Sequence, residues 1–155
     1  MNIKNKTVLI TGGSTGIGKA IAEAFIKKEA NIIVLGINKP EYKCEFYKID
    51  ISKEEQIKST LQKIKSIDIL VNNAGIFLGD TIENTNSSDL NMIIDVNIKG
   101  VFLVCKYSIP KIQKGGCVIN IGSISGVKPR PGTSVYSFTK AAVINLTKAL
   151  ALELA

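Results

Sequence analysis

Tyr136 and Lys140, a tyrosine and a lysine four residues apart, are well suited to moving a proton. Residues at this spacing share one face of a helix. A free tyrosine, with a pKa of about 10, is a poor base at neutral pH, but a nearby ammonium favours the phenolate and lowers that pKa. The pair therefore predicts proton transfer to or from a substrate oxygen. Taken alone, the same spacing is also typical of an exposed helix face.

A glycine-rich segment, T-G-G-S-T-G-I-G, follows a short apolar run near the start of the chain. It predicts a tight turn from strand to helix whose backbone N–H groups can bind a pyrophosphate. We expect Gly12 to permit the turn, Gly16 to let phosphates approach the backbone, and Gly18 to let helix and strand pack closely. Ser14 and Thr15 can add hydroxyl donors. The segment lacks the Lys-Ser/Thr of a nucleotide triphosphatase loop, and alone it could be an ordinary glycine-rich turn.

The elements that must position these residues alternate between strands and helices. Short apolar runs predict strands at residues 7–11, 31–35, 44–49, 68–72 and 116–122. Amphipathic stretches predict helices at about residues 16–29, 53–66, 88–111 and from residue 134 onward. Strands that are apolar throughout indicate a parallel sheet covered on both faces, with right-handed crossovers. Residues 36–43 include Pro40 and are too few for a crossover helix, so we expect an irregular loop there.

Composition favours one globular domain, residues 1–155, with 45% hydrophobic residues available for a core. The three cysteines, Cys44, Cys105 and Cys117, have no C-x-x-C spacing, and the chain has no histidine. This pattern indicates reduced thiols in a cytoplasmic protein and argues against a disulfide framework or a metal site. No apolar run reaches the roughly 18–20 residues of a membrane span, and the first one is too short for a signal peptide. We therefore expect no membrane partner.

The net charge of +7 comes from lysines, with one arginine, spread through the chain. Nucleic-acid binding would concentrate them in one patch, so no nucleic-acid partner is expected. A diffuse positive field is compatible with attraction of an anionic dinucleotide.

Several motifs, taken in chain order, resemble the short-chain dehydrogenase/reductase family. The matching marks are T-G-x-x-x-G-I-G at residues 11–18, N-N-A-G at residues 72–75, an asparagine at Asn97, a serine at Ser123, and Y-x-x-x-K at Tyr136 and Lys140. The resemblance covers the whole chain. It implies an α/β fold, a Rossmann-like doubly wound parallel sheet, and hydride transfer between NAD or NADP and a secondary alcohol or ketone.

The resemblance implies a role for each matched residue. Tyr136 would exchange the proton, Lys140 would also bind the nicotinamide ribose, and Ser123 would hold the substrate oxygen. Asn97 would kink its helix and anchor a water that passes protons to Lys140; asparagine in an apolar helix lowers helix propensity. The predicted catalytic residues are Asn97, Ser123, Tyr136 and Lys140. The predicted cofactor-binding residues are Gly12, Ser14, Thr15, Gly16, Ile17, Gly18, Asp50, Ile51, Asn73, Ala74, Gly75, Tyr136 and Lys140.

Two of these assignments have structural alternatives. Asp50 ends the third predicted strand, where the family places an aspartate on the adenine amino group, but it could instead cap the next helix. The segment 72–75 could be merely a strand-ending turn, whereas the family gives its residues contacts along the adenosine side of the cofactor.

The choice of cofactor depends on the end of the second strand, where NAD-dependent enzymes often place an acidic residue. That position is Gly36 here, followed by Ile37, Asn38 and Lys39. No carboxylate would repel a 2′-phosphate and Lys39 could meet one, which favours NADP. Asn38 or backbone groups could also hold the ribose hydroxyls, so NAD stays open.

Family members are usually longer, and their final third carries further strands, a substrate-covering loop and much of the subunit interface. Without it the site would lack one wall, so we expect the chain to be incomplete, with a genuine truncation as the alternative. A homodimer or homotetramer is implied, through the apolar helices that start near residues 88 and 134.

The substrate class is open among sugars, steroids, polyols and ketoacyl groups. The short loop after the second strand resembles that of sugar (aldose) dehydrogenases, which places that class first. A 3-ketoacyl-type reductase and an NAD(P)-binding fragment without turnover are alternatives. Sugar-nucleotide epimerases share Y-x-x-x-K but favour G-x-x-G-x-x-G, which this turn does not fit.

Overall fold

The computed structural model describes residues 2–155. Its elements, in chain order, are β1 (Thr7–Thr11), α1 (Gly16–Ile26), β2 (Asn31–Gly36), β3 (Glu45–Lys48), α2 (Glu54–Lys63), β4 (Ile67–Asn72), α3 (Ser87–Ile94), a π-helical segment (Asp95–Gly100), α4 (Val101–Ser108), a 3₁₀ turn (Ile109–Lys111), β5 (Ile112–Asn120), a second 3₁₀ turn (Ile124–Gly126) and α5 (Ser134–Glu153).

The five strands form one parallel sheet in the order β3-β2-β1-β4-β5. Strands β1, β2 and β3 follow one another towards one edge of the sheet. The chain then crosses back, so that β4 pairs with the other side of β1. Thr11 and Asn72 are partners at the carboxyl ends of those two central strands. Ligands bind parallel sheets at such a reversal, outside the carboxyl ends of the strands. The predicted α/β doubly wound sheet is confirmed, and its topology places the glycine-rich segment at the reversal.

Both faces of the sheet are buried, which explains why the strands are apolar throughout. On β1, Leu9 faces the layer that contains α2 and α4, whereas Val8 and Ile10 face the layer that contains α1. All three side chains have no exposed surface. A strand covered on both faces gains from hydrophobic residues at every position.

Helix α1 was predicted to run to residue 29 but ends at Ile26. Glu29 adopts a positive φ of 59°, and the Ala30 N–H donates to the Phe25 carbonyl oxygen at 3.2 Å. A left-handed residue of this kind ends a helix and pairs its last carbonyls. Because residue 29 is not a glycine, no ordinary helix stop signal is present there. Helix α2 and strand β3 are also shorter than predicted.

Strand β5 was predicted at residues 116–122 and instead spans Ile112–Asn120. Its register on β4 shifts, because Ile67 pairs with Ile112 whereas Ile69 pairs with Cys117. A bulge interrupts the regular alternation of side chains, so the sequence pattern did not predict the first residues of this strand. Within residues 2–155, β5 forms one edge of the sheet, and a groove of about 480 Å³ runs between it and α5.

The long helix predicted at residues 88–111 is present from Ser87 to Lys111 but changes type along its length. Its π-helical segment, Asp95–Gly100, contains the buried Asn97. Such segments are rare and occur often at functional sites. The distortion expected at Asn97 is therefore present. The connection from β2 to β3, residues 37–44, contains neither helix nor strand, as predicted.

The glycine turn, residues 12–18, leaves no room for side chains where it packs against β4. Gly12 has a positive φ of 66°. A Cβ added to Gly18 would lie 2.3 Å from the Gly12 carbonyl oxygen and 2.4 Å from Asn73 Nδ2. The tight turn expected at Gly12 and the close packing expected at Gly18 are both observed.

Replacing Gly18 with alanine should lower the free energy of unfolding by about 1–3 kcal/mol or more, because the added methyl overpacks rigid backbone. Denaturant unfolding measures the change. Gly36→Ala is the matched control, since its Cβ would meet nothing closer than 3.8 Å, and it should alter stability by no more than about 0.5 kcal/mol. Equal stability of the two variants would contradict the close contact at Gly18.

Candidate functional site

The glycine turn presents open backbone at the start of α1. Thr15 is the N-cap of this helix, and its side chain makes no capping hydrogen bond. Gly16 has a positive φ of 54°, and a Cβ added there would meet no atom within 4 Å. Backbone N–H groups at a helix N-terminus bind anions, helped by the helix dipole. The turn therefore has the geometry that a phosphate group needs.

The residues after β4 are hydrogen-bonded to the end of β1 and to the start of the glycine turn. The Thr11 hydroxyl oxygen accepts the N–H groups of Asn73, at 3.1 Å, and Ala74, at 3.0 Å. In return, Asn73 Nδ2 donates to the carbonyl oxygens of Thr11, at 3.1 Å, and Gly12, at 2.9 Å. Asn73 is predicted to contact the cofactor, and in the structure its side-chain nitrogen braces the turn while the residue lines the cleft. Thr11 is the first residue of the matched motif at residues 11–18, but the sequence did not indicate this bracing role.

A cleft of about 450 Å³ opens at the carboxyl ends of β1, β2, β3 and β4. Nine of the predicted cofactor-binding residues line it: Gly12, Ser14, Thr15, Ile17, Asp50, Ile51, Asn73, Ala74 and Gly75. Its volume lies within the range of about 300–1,000 Å³ that is typical of small-molecule sites. Gly16 and Gly18 lie in the same turn without lining the cleft. The lining also includes Ile76 and Val96, which no sequence motif singled out.

Asp50 lines this cleft and also holds the turn before α2. Its carboxylate accepts the Ser52 N–H at 2.9 Å, and its carbonyl oxygen accepts the Lys53 N–H at 3.0 Å. The N-cap of α2 is Lys53, not Asp50. The alternative interpretation of Asp50 as a helix cap is therefore replaced by a role in the preceding turn, which leaves the residue beside the cleft.

A second cavity, of about 290 Å³, adjoins the cleft and is lined by Ser123, Tyr136 and Lys140. The two spaces share four lining residues: Ile17, Asn73, Gly75 and Ile76. Three of the four predicted catalytic residues therefore face one space, and that space continues into the cleft beneath the glycine turn.

Lys140 lies at the inner end of this second cavity. Its side chain is buried, its Nζ donates to the Ile121 carbonyl oxygen at 2.8 Å, and the same atom lies 5.9 Å from the centre of the Tyr136 ring. Burial lowers the pKa of the Lys140 ammonium, because a charged group loses hydration there. A Cβ added to Gly75 would come within 3.6 Å of Nζ. Gly75 and the lysine head group thus lie close together on the wall of the second cavity.

Asn97, the fourth predicted catalytic residue, joins three parts of the site. Its Oδ1 accepts the Ile76 N–H at 2.8 Å, and its Nδ2 donates to the Ile76 carbonyl oxygen at 2.9 Å and to Thr139 Oγ1 at 3.2 Å. Thr139 donates in turn to the Tyr136 carbonyl oxygen at 2.8 Å. The amide therefore ties the segment after β4 to the helix that carries Tyr136.

Thr139 and Phe77 are parts of the site that sequence analysis missed. Thr139 is fully buried and lies three residues after Tyr136, on the same side of α5, so the helical spacing could have found it. Phe77 packs edge-on against the Tyr136 ring, with centroids 5.0 Å apart. No spacing rule predicts that contact.

Ser123 begins the second 3₁₀ turn, and its Oγ accepts the Ser125 N–H at 3.1 Å. An oxygen that accepts in this way keeps its own hydrogen available for donation. The serine can therefore donate to a substrate oxygen held in the second cavity.

Neither a membrane-crossing helix nor a metal-binding cluster is present in the described part of the chain. None of the helices within residues 2–155 is long and apolar enough to cross a bilayer. Likewise, no three His, Cys, Asp or Glu side chains in that range lie close enough together to hold a metal ion.

Comparison with known proteins relates the chain to one family throughout its length. The family model described as short chain dehydrogenase matches residues 6–155. An uncharacterized oxidoreductase of Thermotoga maritima is 36% identical, over 99% of this chain and 67% of the relative. A 3-oxoacyl-[acyl-carrier-protein] reductase of the same organism is 34% identical, over 100% of this chain and 70% of the relative.

Solved structures show the same likeness. The ligand-free aldohexose dehydrogenase of Thermoplasma acidophilum has a TM-score of 0.93 and 36% identity, over 97% of this chain and 62% of that one. A short chain dehydrogenase of Leptospira borgpetersenii with bound NAD+ has a TM-score of 0.90 and 32% identity, over 97% of this chain and 66% of that one. The chain spans about two thirds of the length of these proteins.

The buried Lys140 predicts a stability that depends on pH. Because its pKa in the folded chain lies below the usual 10.5, the unfolded chain binds this proton more tightly. The buried ammonium therefore lowers the free energy of unfolding. This effect is complete at pH values below the folded pKa and disappears as the pH rises towards 10.5. The free energy of unfolding of the wild type, minus that of Lys140→Met, should therefore increase as the pH is raised from neutral.

Urea unfolding at a series of pH values measures this difference. Lys148→Met, at an exposed position of the same helix, controls for the loss of a lysine. A Lys140→Met difference that stays constant, or that decreases with pH, would contradict the burial of the charged group.

Proposed function

Because the chain belongs to the short-chain dehydrogenase family, we propose that it forms the cofactor-binding and catalytic part of an oxidoreductase. The reaction is hydride transfer between NAD(P) and a secondary alcohol or ketone. The observation that supports this best is the cavity lined by Ser123, Tyr136 and Lys140, which continues into the cleft beneath the glycine turn.

The residues of the cleft fit a dinucleotide. The uncapped N-terminus of α1 and the open backbone at Gly16 suit its pyrophosphate. Asp50, at the far end of the cleft, would meet the adenine ring, and Lys140 would bind the nicotinamide ribose. When bound, the cofactor supplies a nicotinamide ring that accepts or gives the hydride.

Tyr136 is the proposed general acid–base, since its hydroxyl would exchange the proton of the substrate oxygen. The Lys140 Nζ lies 5.9 Å from the centre of the Tyr136 ring, so its positive charge would stabilise negative charge that develops on the Tyr136 oxygen during the transfer. The Ser123 hydroxyl would donate to the same substrate oxygen and stabilise charge that develops there. The proposed part of Asn97 is to hold these groups in place through Ile76 and Thr139; the water that it would anchor stays a prediction.

Replacing Tyr136 with phenylalanine removes the hydroxyl and keeps the ring that packs against Phe77. We expect kcat to fall by about 10²–10⁴-fold, the usual effect of losing a general acid–base. Cofactor affinity should change by less than about twofold, because the Tyr136 hydroxyl serves the substrate oxygen. Nicotinamide absorbance with a panel of aldoses and ketones measures turnover, and calorimetric titration measures binding.

Tyr107→Phe is the matched control, since it removes a hydroxyl that donates to Glu54 on the outer surface. It should leave both quantities unchanged. Undiminished turnover of the Tyr136→Phe variant would refute the proposed mechanism.

A second candidate function is NAD(P) binding without turnover. It would use the same cleft, whose lining fits a dinucleotide whether or not a substrate is turned over. Wild-type protein that binds the dinucleotide but turns over no member of the panel would support this candidate.

For the substrate we propose a sugar, with a 3-ketoacyl group as the alternative. The first is supported by likeness to an aldohexose dehydrogenase and the second by likeness to a 3-oxoacyl-[acyl-carrier-protein] reductase. Association into a homodimer or homotetramer is also proposed. It is supported by exposed apolar side chains on α3, α4 and α5, namely Met92, Phe102 and Phe138. The cytoplasmic location stays a prediction.

For the cofactor we propose a preference for NADP. The end of β2 supplies Gly36, Ile37 and Asn38 to the cleft, so no carboxylate there opposes a 2′-phosphate. Lys39 does not line the cleft. Burial raises the pKa of Cys44, and the nearby charge of Lys39 offsets part of that rise. To meet a bound 2′-phosphate, the Lys39 side chain would have to turn towards the cleft.

If Lys39 binds the 2′-phosphate, Lys39→Ala should weaken NADP binding about tenfold or more, as expected for a charge-assisted hydrogen bond. NAD binding should change by less than about twofold, because NAD has no 2′-phosphate. Lys43→Ala, an exposed lysine of the same loop, is the control and should affect neither ligand. Tighter binding of NAD than of NADP by the wild type would overturn the preference.

A further inference from the structure

The β2–β3 loop, residues 37–44, is bound to the glycine turn and to α1. The Ser14 hydroxyl donates to the Asn38 carbonyl oxygen. The Tyr42 hydroxyl donates to the Gly13 carbonyl oxygen at 2.6 Å. A loop that connects adjacent parallel strands without a helix thus contacts the cofactor cleft from its outer side.

Gly13 is enclosed between Tyr42 and β2. A Cβ added to Gly13 would lie 2.9 Å from the Tyr42 hydroxyl oxygen and 2.9 Å from a methyl group of Val34. The Tyr42 ring packs on the buried layer that contains α1. Burial raises the pKa of Tyr42 to about 12, so its hydroxyl remains a donor at neutral and moderately alkaline pH.

The hydrogen bond from Tyr42 sets the orientation of one peptide group. In a planar trans peptide the C=O and the N–H point in opposite directions. Because the Gly13 carbonyl points at Tyr42, the N–H of Ser14 points away from Tyr42. Ser14 lines the cleft and Tyr42 does not. The bond therefore directs the Ser14 N–H away from Tyr42, and because Ser14 itself lines the cleft, we expect this N–H to face a bound ligand.

The turn needs such a fixing contact because of its composition. Gly12 and Gly13 precede this peptide group, and glycine allows backbone rotations that other residues resist. Without the bond, the peptide group would sample other orientations, and a ligand would have to select among them at a cost in affinity.

We propose that Tyr42 is a positioning residue for cofactor binding. Its hydroxyl fixes the peptide group between Gly13 and Ser14, so that Ser14 presents its N–H to the adenosine half of the dinucleotide. The inference rests on the proposed function, since it requires a dinucleotide in the cleft. It assigns Tyr42 no contact with the ligand itself.

Tyr42→Phe tests the inference, because it removes the hydroxyl and keeps the ring that packs against the core. Calorimetric titration with ADP-ribose reports on the adenosine half alone. Its dissociation constant should rise about fivefold, within the range for loss of one hydrogen bond. The KM for the dinucleotide should rise by a similar factor, while kcat at saturating cofactor stays within about twofold, since binding and not chemistry is affected.

Tyr47→Phe is the matched control. Its hydroxyl donates to the Glu45 carboxylate on the surface of β3, and Tyr47 does not line the cleft. This variant should bind ADP-ribose as the wild type does. The thermal unfolding midpoint of each ligand-free variant shows whether a loss of binding comes from a general loss of stability.

The outcomes separate this inference from the proposed function. Weaker ADP-ribose binding with kcat preserved supports the role of Tyr42. Unchanged ADP-ribose binding by Tyr42→Phe overturns that role and leaves the proposed function intact. The role of Tyr42 is also overturned if Tyr47→Phe loses as much affinity for ADP-ribose as Tyr42→Phe does. It is overturned as well if Tyr42→Phe loses affinity equally for ADP-ribose and for reduced nicotinamide mononucleotide. Failure of the wild type to bind either ADP-ribose or the dinucleotide overturns the proposed function itself.

Discussion

The close meeting of β1 and β4 at their carboxyl ends is the constraint on which the rest of the site depends. Thr11 and Asn73 exchange hydrogen bonds there, and Gly18 packs against the Gly12 carbonyl with no space for a side chain. Because the chain reverses its direction of travel across the sheet between these strands, the turn after β1 and the segment after β4 form the two sides of one cleft. This packing holds the open N-terminus of α1 at the cleft, where Thr15 and Ile17 form part of the lining.

A second set of contacts connects the segment after β4 to α5, which bears the proposed catalytic residues Tyr136 and Lys140. Ile76, which follows β4, is held on both its backbone groups by Asn97, and Asn97 reaches α5 through Thr139. The π-helical segment around Asn97 shifts the helix locally, as such segments do. Buried and partly buried hydrogen bonds therefore connect the two ends of the site.

Much of this architecture could be predicted from the sequence, because it follows from periodicity and from glycine spacing. Strands that are apolar throughout predicted the parallel sheet, and the spacing of Gly12 and Gly18 predicted the tight turn. Helical spacing could have placed Thr139 beside Tyr136, but its bond to Asn97 and the bond from Tyr42 to Gly13 could not be predicted, since they depend on how the loop and the helices pack. The end of α1 at Ile26 was missed for a related reason: it is followed by a left-handed glutamate, Glu29, which is uncommon and carries no signal in composition.

The central claim is that a dinucleotide binds across the reversal point of the sheet. Two-dimensional amide NMR of the ¹⁵N-labelled protein, titrated with NADP+, tests it most directly. Binding there predicts the largest shifts at the amides of Ser14 and Gly16 and at those of Ala74 and Gly75, with little change along β5. Shifts centred instead on the groove between β5 and α5, or no saturable shifts at all, would contradict it.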